Sequence, residues 1–349
     1  MKPKLPVPIL LAGFLLFSCG QSPAEIPIPE TSPPVNADTA EPETDSPVQT
    51  EGESMPMPAE PEPIPPPETI PPETAPAGTL PAQPVIPVMP EELHTNITDP
   101  GCAEILLELW ELFEPYPDAS LYFADETEEF HAGIRENLKY HSASTIKAPY
   151  CQHLLASETD LSIQVPFTAA TRTSTSGFLT PDRIGTSFTA NELIEYTIRH
   201  SDNQAYRLLL DTFGAEDYGR YTESIGVPGL ALTDGEWASV TPKELSAAML
   251  EICRTGKNNP ALIDHMKNTT FNAQISAGTG YETAHKYGYN GGDDGYHDTA
   301  IVYAPGRAYV LTIMTHLEFS PGNDPNALFR EAAALADRLH ERLFSSTGN

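Results

Sequence analysis

The sequence predicts an α+β domain, with an antiparallel sheet flanked by terminal helices and an all-helical lobe inserted in the middle. Three observations predict it. Strand-like segments lie at both ends of residues 94–349, capped helical segments fill the centre, and amphipathic helical segments open and close the region.

In chain order, Ala103 to Phe113 (AEILLELWELF) places apolar residues at helical spacing. Ser120 to Ala124 (SLYFA) reads as a strand, and Glu129 to Ile134 pairs with it across Asp125-Glu126-Thr127. Residues 144–156 read as a helix that Pro149 should bend. Thr189 and Glu192 have the spacing of a capping box before an apolar run to Ile198. Gln204 to Phe213 is a further helix. Thr241 and Glu244 form a second capping box, with Pro242 at the first helical position of a helix to about Arg254. Lys286 to Tyr289, Thr299 to Tyr303 and Ala308 to Thr315 read as successive antiparallel strands, the last two joined by the turn Ala304-Pro305-Gly306-Arg307. Asn326 to Phe344 is a long amphipathic helix.

Two segments precede this domain. Residues 1–19 carry Lys2 and Lys4, an apolar run from Ile9 to Phe17, and then Ser18-Cys19. That order reads as a secretory signal, the apolar run being too short for a stable bilayer anchor. It resembles a bacterial lipoprotein signal, which implies lipidation at Cys19. Residues 20–93 read as a disordered tether. Residues 20–90 hold 21 of the 36 prolines and 12 acidic residues, with no Lys or Arg, so they favour extended chain and cannot build a core. Fully extended, they reach on the order of 200 Å, at about 3.1 Å per residue. An exported protein is expected, lipid-anchored on the outer face of a bacterial cytoplasmic membrane or as a periplasmic or outer-membrane lipoprotein. Its only membrane contact is then the lipid.

The formal net charge is −30, of which −20 remains once residues 1–90 are set aside. Nucleic acid is therefore excluded as a partner. Cys102, Cys151 and Cys253 remain after Cys19. Export permits a disulfide but leaves at least one thiol free, and Cys151, in an apolar helix, reads as a small core residue. No cysteine–histidine spacing suggests zinc, and neither a metal nor an organic cofactor is implied. A monomer is expected.

Three motifs carry the chemistry. Ser144-Thr145-Ile146-Lys147 is S-x-x-K, in which a serine at a helix entry has a lysine one turn on. Such a pair makes a nucleophile without histidine. Ser201-Asp202-Asn203 follows the end of a capped helix, and Lys286-Tyr287-Gly288 opens a strand. An S-x-x-K alone is expected about once by chance in a chain of roughly this length. Order, spacing and context together raise the signal.

With these motifs stand the segments HSASTIKAPY, TANELIEYTIRHSDNQAYRLLL, TPKELSAAML and HKYGYNGGDDGYHDTAIVY. On them, residues 100–349 resemble the class A β-lactamase family, within the serine penicillin-binding enzymes. The resemblance implies a β-lactamase-like sandwich with the active site between sheet and helical lobe. It implies Ser144 as nucleophile and Lys147, neutral when desolvated, as its base. Ser201 would relay a proton towards the leaving nitrogen. Asn203 would hold a substrate carbonyl, and Lys286, with Tyr287 and Gly288, would meet the substrate carboxylate. The backbone N–H groups of Ser144 and Tyr289 would form the oxyanion hole. Two features depart from the family. Tyr287 stands where a threonine or serine is usual. No E-x-x-L-N lies between Ser201 and Thr241, and the loop from Gly226 to Val240 has no arginine to close it. Glu236 is the one acid there placed as a candidate deacylation base.

The expected activity is acyl-serine formation with β-lactams followed by hydrolysis. Two alternatives remain open at this point. One is a penicillin-binding peptidase or transpeptidase acting on peptidoglycan stem peptides with poor β-lactam turnover. The other is a non-catalytic lipoprotein that binds cell wall.

Overall fold

The computed structural model describes residues 88–173, 177–292, 295–317 and 324–344. The signal, Cys19 and nearly all of the tether lie outside the described residues. Among the described residues no helix is long and apolar enough to cross a membrane.

The strands are β1 (Leu93–Thr95), β2 (Ala119–Asp125), β3 (His131–Ile134), β4 (Tyr140–His141), β5 (Gln164–Pro166), β6 (Ser187–Thr189), β7 (Ser239–Val240), β8 (Thr283–Asn290), β9 (Gly295–Val302) and β10 (Tyr309–Thr315). The helices are α1 (Pro100–Phe113), α2 (Lys147–Ala156), α3 (Ala190–Arg199), α4 (Asn203–Phe213), α5 (Glu216–Ser224), α6 (Pro242–Thr255), α7 (Pro260–Lys267), α8 (Ile275–Gly278) and α9 (Ala327–Phe344). The main sheet runs β1-β3-β2-β10-β9-β8, and its pairings are antiparallel. β8 is therefore an edge strand. The short pairs β4–β7 and β5–β6 are separate. Because β1 begins at Leu93, the fold starts one residue inside the stretch assigned to the tether.

Both faces of the sheet are covered, and strand alternation sorts the side chains between them. On β10, Tyr309, Leu311 and Ile313 join a core with Leu106 and Leu109 of α1 and Phe329 and Leu339 of α9. Val310 and Met314, from the same strand, join a second core with Ile146, Leu193, Leu209 and Met249 of the helical lobe. Each fully buried Leu or Ile contributes about 1.5–3 kcal/mol relative to exposure. The terminal helices and the inserted lobe thus take opposite sides of one sheet, as the order of the segments predicts.

Both capping boxes form. Thr189 Oγ1 accepts from Glu192 N at 3.2 Å, while Glu192 Oε2 accepts from Thr189 N at 2.7 Å. Thr241 and Glu244 repeat the pattern at 3.1 and 2.9 Å. One expectation changes. The segment from Ser144 is not a single bent helix: Ala143–Ile146 is a 3₁₀ turn, and α2 begins at Lys147. Pro149 therefore falls in the first turn of α2, where its missing N–H has no helical acceptor to lose.

The three cysteines are free thiols. Cys102 and Cys151 are buried, and burial pushes Cys102 up to about 11 and Cys151 further up still. This is the inert core role expected of Cys151.

Candidate active site

The 3₁₀ turn that carries Ser144 packs beneath the edge strand β8. A Cβ added to Gly288 would lie 3.0 Å from Ser144 N and 3.1 Å from Ala143 Cβ. Any side chain there would push the turn and strand apart by a few tenths of an ångström, and glycine avoids this. Ala143 (φ 45°) and Ser201 (φ 51°) both hold left-handed backbone without being glycine. Such conformations persist where the surroundings enforce them, and both flank the site.

Lys147 is fully buried. Its Nζ donates to Asn203 Oδ1 at 2.5 Å and to the Ser201 carbonyl at 2.7 Å. It also lies 5.6 Å from the Tyr206 ring centroid and 5.9 Å from that of Trp237. Burial brings its pKa down to about 7, against smaller upward pulls from Asp202, Cys151 and Glu236. Near neutral pH a large fraction of this amine is therefore unprotonated. Among the described residues the hydrogen bonds of the Lys147 amine go to the S-D-N turn, and none goes to Ser144. In a free site such contacts tighten only once substrate is bound.

The S-D-N turn divides its labour. Asp202 is the N-cap of α4: its carboxylate accepts from Ala205 N at 2.8 Å and from Leu179 N at 2.8 Å. That frees the flanking residues. Asn203 turns to Lys147, and Ser201 Oγ accepts from Lys286 Nζ at 2.9 Å. Lys286 is also fully buried, and its second hydrogen bond goes to the Tyr287 carbonyl at 2.8 Å. Burial holds Lys286 well below the ordinary lysine range, and neighbouring Lys147 pushes the same way.

The Lys286–Tyr287 contact also orients the edge strand. In a β-strand a residue's N–H and C=O point to the same side, and alternate residues share that side. The Tyr287 carbonyl faces the cleft, so the Tyr289 N–H faces it too, beside the Ser144 turn. The Tyr289 side chain is exposed and packs on Tyr296, with centroids 4.9 Å apart. Residues assigned from all three motifs therefore converge on one cleft.

Glu236 does not join them. The loop before α6 is fixed by β4–β7, by Ser142 N donating to the Ala238 carbonyl at 2.8 Å, and by Tyr206 Oη donating to the Glu236 carbonyl at 2.9 Å. The Glu236 carboxylate pairs with Arg207 of α4, which also bonds Asp211 at 2.8 Å. Arg207, Asp211 and Glu236 line an open cavity of about 480 Å³ that neither Ser144 nor Lys147 lines. The loop lacks its own arginine, and a helix supplies one. Arg207 was missed in the sequence. Its (i, i+4) spacing to Asp211 is legible there, whereas its pairing with Glu236, 29 positions away, is not. Phe271, which packs on Tyr287 with centroids 4.6 Å apart, was missed for the same reason.

The site thus brings together a buried amine near neutrality, the serine of a 3₁₀ turn, and a second buried lysine on the edge strand bonded to Ser201 of the S-D-N turn. The comparisons give the family. The model of the beta-lactamase enzyme family matches residues 107–339, and the chain belongs to that family. A beta-lactamase of Bacillus subtilis (strain 168) is 30% identical over 176 residues, which are 44% of this chain and 57% of the relative. One from Bacillus amyloliquefaciens is 30% identical over 179 residues, covering 45% and 58%. The aligned stretches thus span little more than half the length of these relatives. Among solved structures, that of PBP-A superposes with TM-score 0.61 at 22% identity, covering 68% of this chain and 96% of that one. A PBP-A mutant in acyl-enzyme complex with penicillin-G gives 0.60 at 23%, covering 68% and 97%. A beta lactamase from Xanthomonas campestris gives 0.58 at 21%, covering 68% and 98%. These likenesses confirm the α+β, β-lactamase-like fold.

Proposed function

We propose that the chain is a β-lactamase-type serine hydrolase that opens β-lactams through an acyl-Ser144 ester. The observation that carries this reading is Lys147, buried, near neutrality and bonded to Asn203 and Ser201 beside the Ser144 turn. Ser144 Oγ attacks the lactam carbonyl and gives its proton to neutral Lys147. The carbonyl oxygen, now negative, takes hydrogen bonds from the N–H groups of Ser144 and Tyr289. The C–N bond breaks, and the ring nitrogen receives a proton through Ser201. Asn203 holds the substrate's side-chain amide and Lys147 together. Water then cleaves the ester, releasing ring-opened acid and free Ser144.

The second step is the slow one on this reading. Its candidate base, Glu236, is engaged by Arg207 and must leave that pair to activate water. The same observation favours a second reading, a penicillin-binding enzyme for stem peptides whose β-lactam adduct persists. Steady-state ring opening of benzylpenicillin by the full chain separates the two: continued product release means hydrolysis, and a single turnover means a trapped adduct. Glu236→Gln is expected to leave acylation unchanged and to slow deacylation by about 10²-fold, the lower range for a lost general base. Deacylation at the parent rate would remove Glu236 from the mechanism.

We also place the protein at a membrane surface, tethered through lipid on Cys19. Cys19→Ala is expected to move it from the membrane fraction to the soluble exported fraction. Retention in the membrane fraction would contradict the anchor.

A further inference from the structure

By family resemblance Lys286 meets a substrate carboxylate, yet its ammonium has little left to offer one. An ammonium carries three donors. One goes to Ser201 Oγ at 2.9 Å and one to the Tyr287 carbonyl at 2.8 Å. The Tyr287 ring lies against the same group, with Nζ 4.1 Å from its centroid, a cation–π distance. Lys286 is fully buried under this cover. The ring is braced by Phe271 at 4.6 Å between centroids, and its hydroxyl lies within reach of the Ser201 and Thr270 hydroxyls. A threonine at position 287 has no ring to place there.

Electrostatics point the same way. Burial weakens the charged form of Lys286, and it raises Tyr287, which stays a neutral phenol at neutral pH. Tyr287 therefore covers Lys286 with a neutral ring and adds no phenolate charge beside it. The surrounding domain is acidic, which does not draw anions in.

We propose that Tyr287 is a specificity-determining residue that caps Lys286, so that the site accepts acyl donors without a carboxylate beside the scissile amide as readily as those with one. The inference rests on the serine-acylation reading above. It leaves the bond changes untouched: the lactam C–N bond breaks, the Ser144 ester forms and the serine proton ends on nitrogen, whether the neighbouring group is an acid or an ester. The substrate class is correspondingly wider, taking in neutral cyclic amides.

The test is the acylation rate of the full chain, followed by intact mass, with benzylpenicillin and with its methyl ester. For the parent the two rates are expected within about threefold of each other. Tyr287→Thr, which uncovers Lys286 and restores a small hydroxyl, is expected to raise the acid-to-ester ratio by at least about tenfold, the usual worth of one hydrogen bond to a charged group. Tyr287→Phe keeps the ring and is expected to keep the parent ratio. A parent that prefers the acid by more than about tenfold, a Tyr287→Thr ratio that does not move, or a Tyr287→Phe variant that selectively loses the acid each overturns the capping role. The last would make the phenol the carboxylate's donor. No adduct from either compound is a different failure, because it removes the acylation reading and this inference with it.

Discussion

Ser144→Ala is expected to abolish both covalent labelling by penicillin and ring opening, with a rate loss on the order of 10⁴ or more, as for removal of a serine nucleophile whose partners act as a unit. The fold should not notice. Ser144 is half-buried in a 3₁₀ turn, and its hydroxyl has no hydrogen bond among the described residues, so the change in stability should stay within about 0.5 kcal/mol. Acylation time courses beside thermal unfolding of both proteins check the two halves together. Labelling that survives in the variant would place the nucleophile elsewhere. A variant that unfolds would show that the turn, and not the hydroxyl, had been lost.

The second large effect belongs to Lys147. Only the unprotonated amine accepts the serine proton, and burial brings this lysine to about 7. The sign follows directly. Above this value the base is free and acylation is at its plateau. Below it the amine is protonated, and acylation falls about tenfold per pH unit. A solvated lysine would put the same inflection near 10.4. Lys147→Met keeps the buried volume and removes the base, and is expected to lower acylation by about 10²–10⁴ while abolishing the inflection. Acylation rates across this pH range, for parent and variant, decide the matter. An inflection near 10 would mean that the amine is not desolvated, and a variant that retains it would assign the titration to another group.

The same burial explains why the two lysines differ in role. Burial brings Lys147 to about 7, against smaller upward pulls of which Glu236 gives the least. Lys286 is also lowered by burial, with Lys147 pushing the same way and Asp298 and Cys151 opposing, and its hydrogen bonds go to Ser201 and to its own strand. Lys286 is thus better placed to orient Ser201 and to carry a proton through it than to bind an outside anion.

Much of this was legible in the sequence because it is local. Capping boxes, proline at a helix start and strand alternation act within a few residues, and so α3, α6, β2, β10 and α9 fall where the pattern puts them. Of the motifs, Ser201-Asp202-Asn203 was legible for a related reason, because Asp202 caps α4, whereas Lys286 does not open its strand as expected: β8 already begins at Thr283. What was not legible depends on distance or on weak local signal. α5 has only Tyr218 and Thr222 buried and carries Gly219 within it, so its apolar stripe is thin. α7 and the β5–β6 pair are too short for periodicity to show. The 3₁₀ turn at Ser144 arises from packing under β8, where Gly288 lets the backbones meet, and nothing in the order S-x-x-K announces it. Arg207 with Glu236, and Phe271 with Tyr287, are tertiary pairs that pattern alone cannot join.

Those two pairs are also where this chain departs from its family's motifs. Each occupies a group that the family resemblance would leave free for substrate or water: Glu236 by an ion pair, Lys286 by an aromatic cover. Neither replaces a residue of the Ser144–Lys147–Ser201–Asn203 unit. The departures therefore bear on which acyl donors enter and how fast the ester is released, and not on whether Ser144 can be acylated.

That last point is tested most directly by an intact-mass time course of the full chain with benzylpenicillin, followed by peptide mapping of any adduct. The account predicts a gain equal to the whole drug, confined to the peptide that holds Ser144, which then decays as ring-opened product accumulates. Absence of both adduct and product, or an adduct on any other residue, would contradict it.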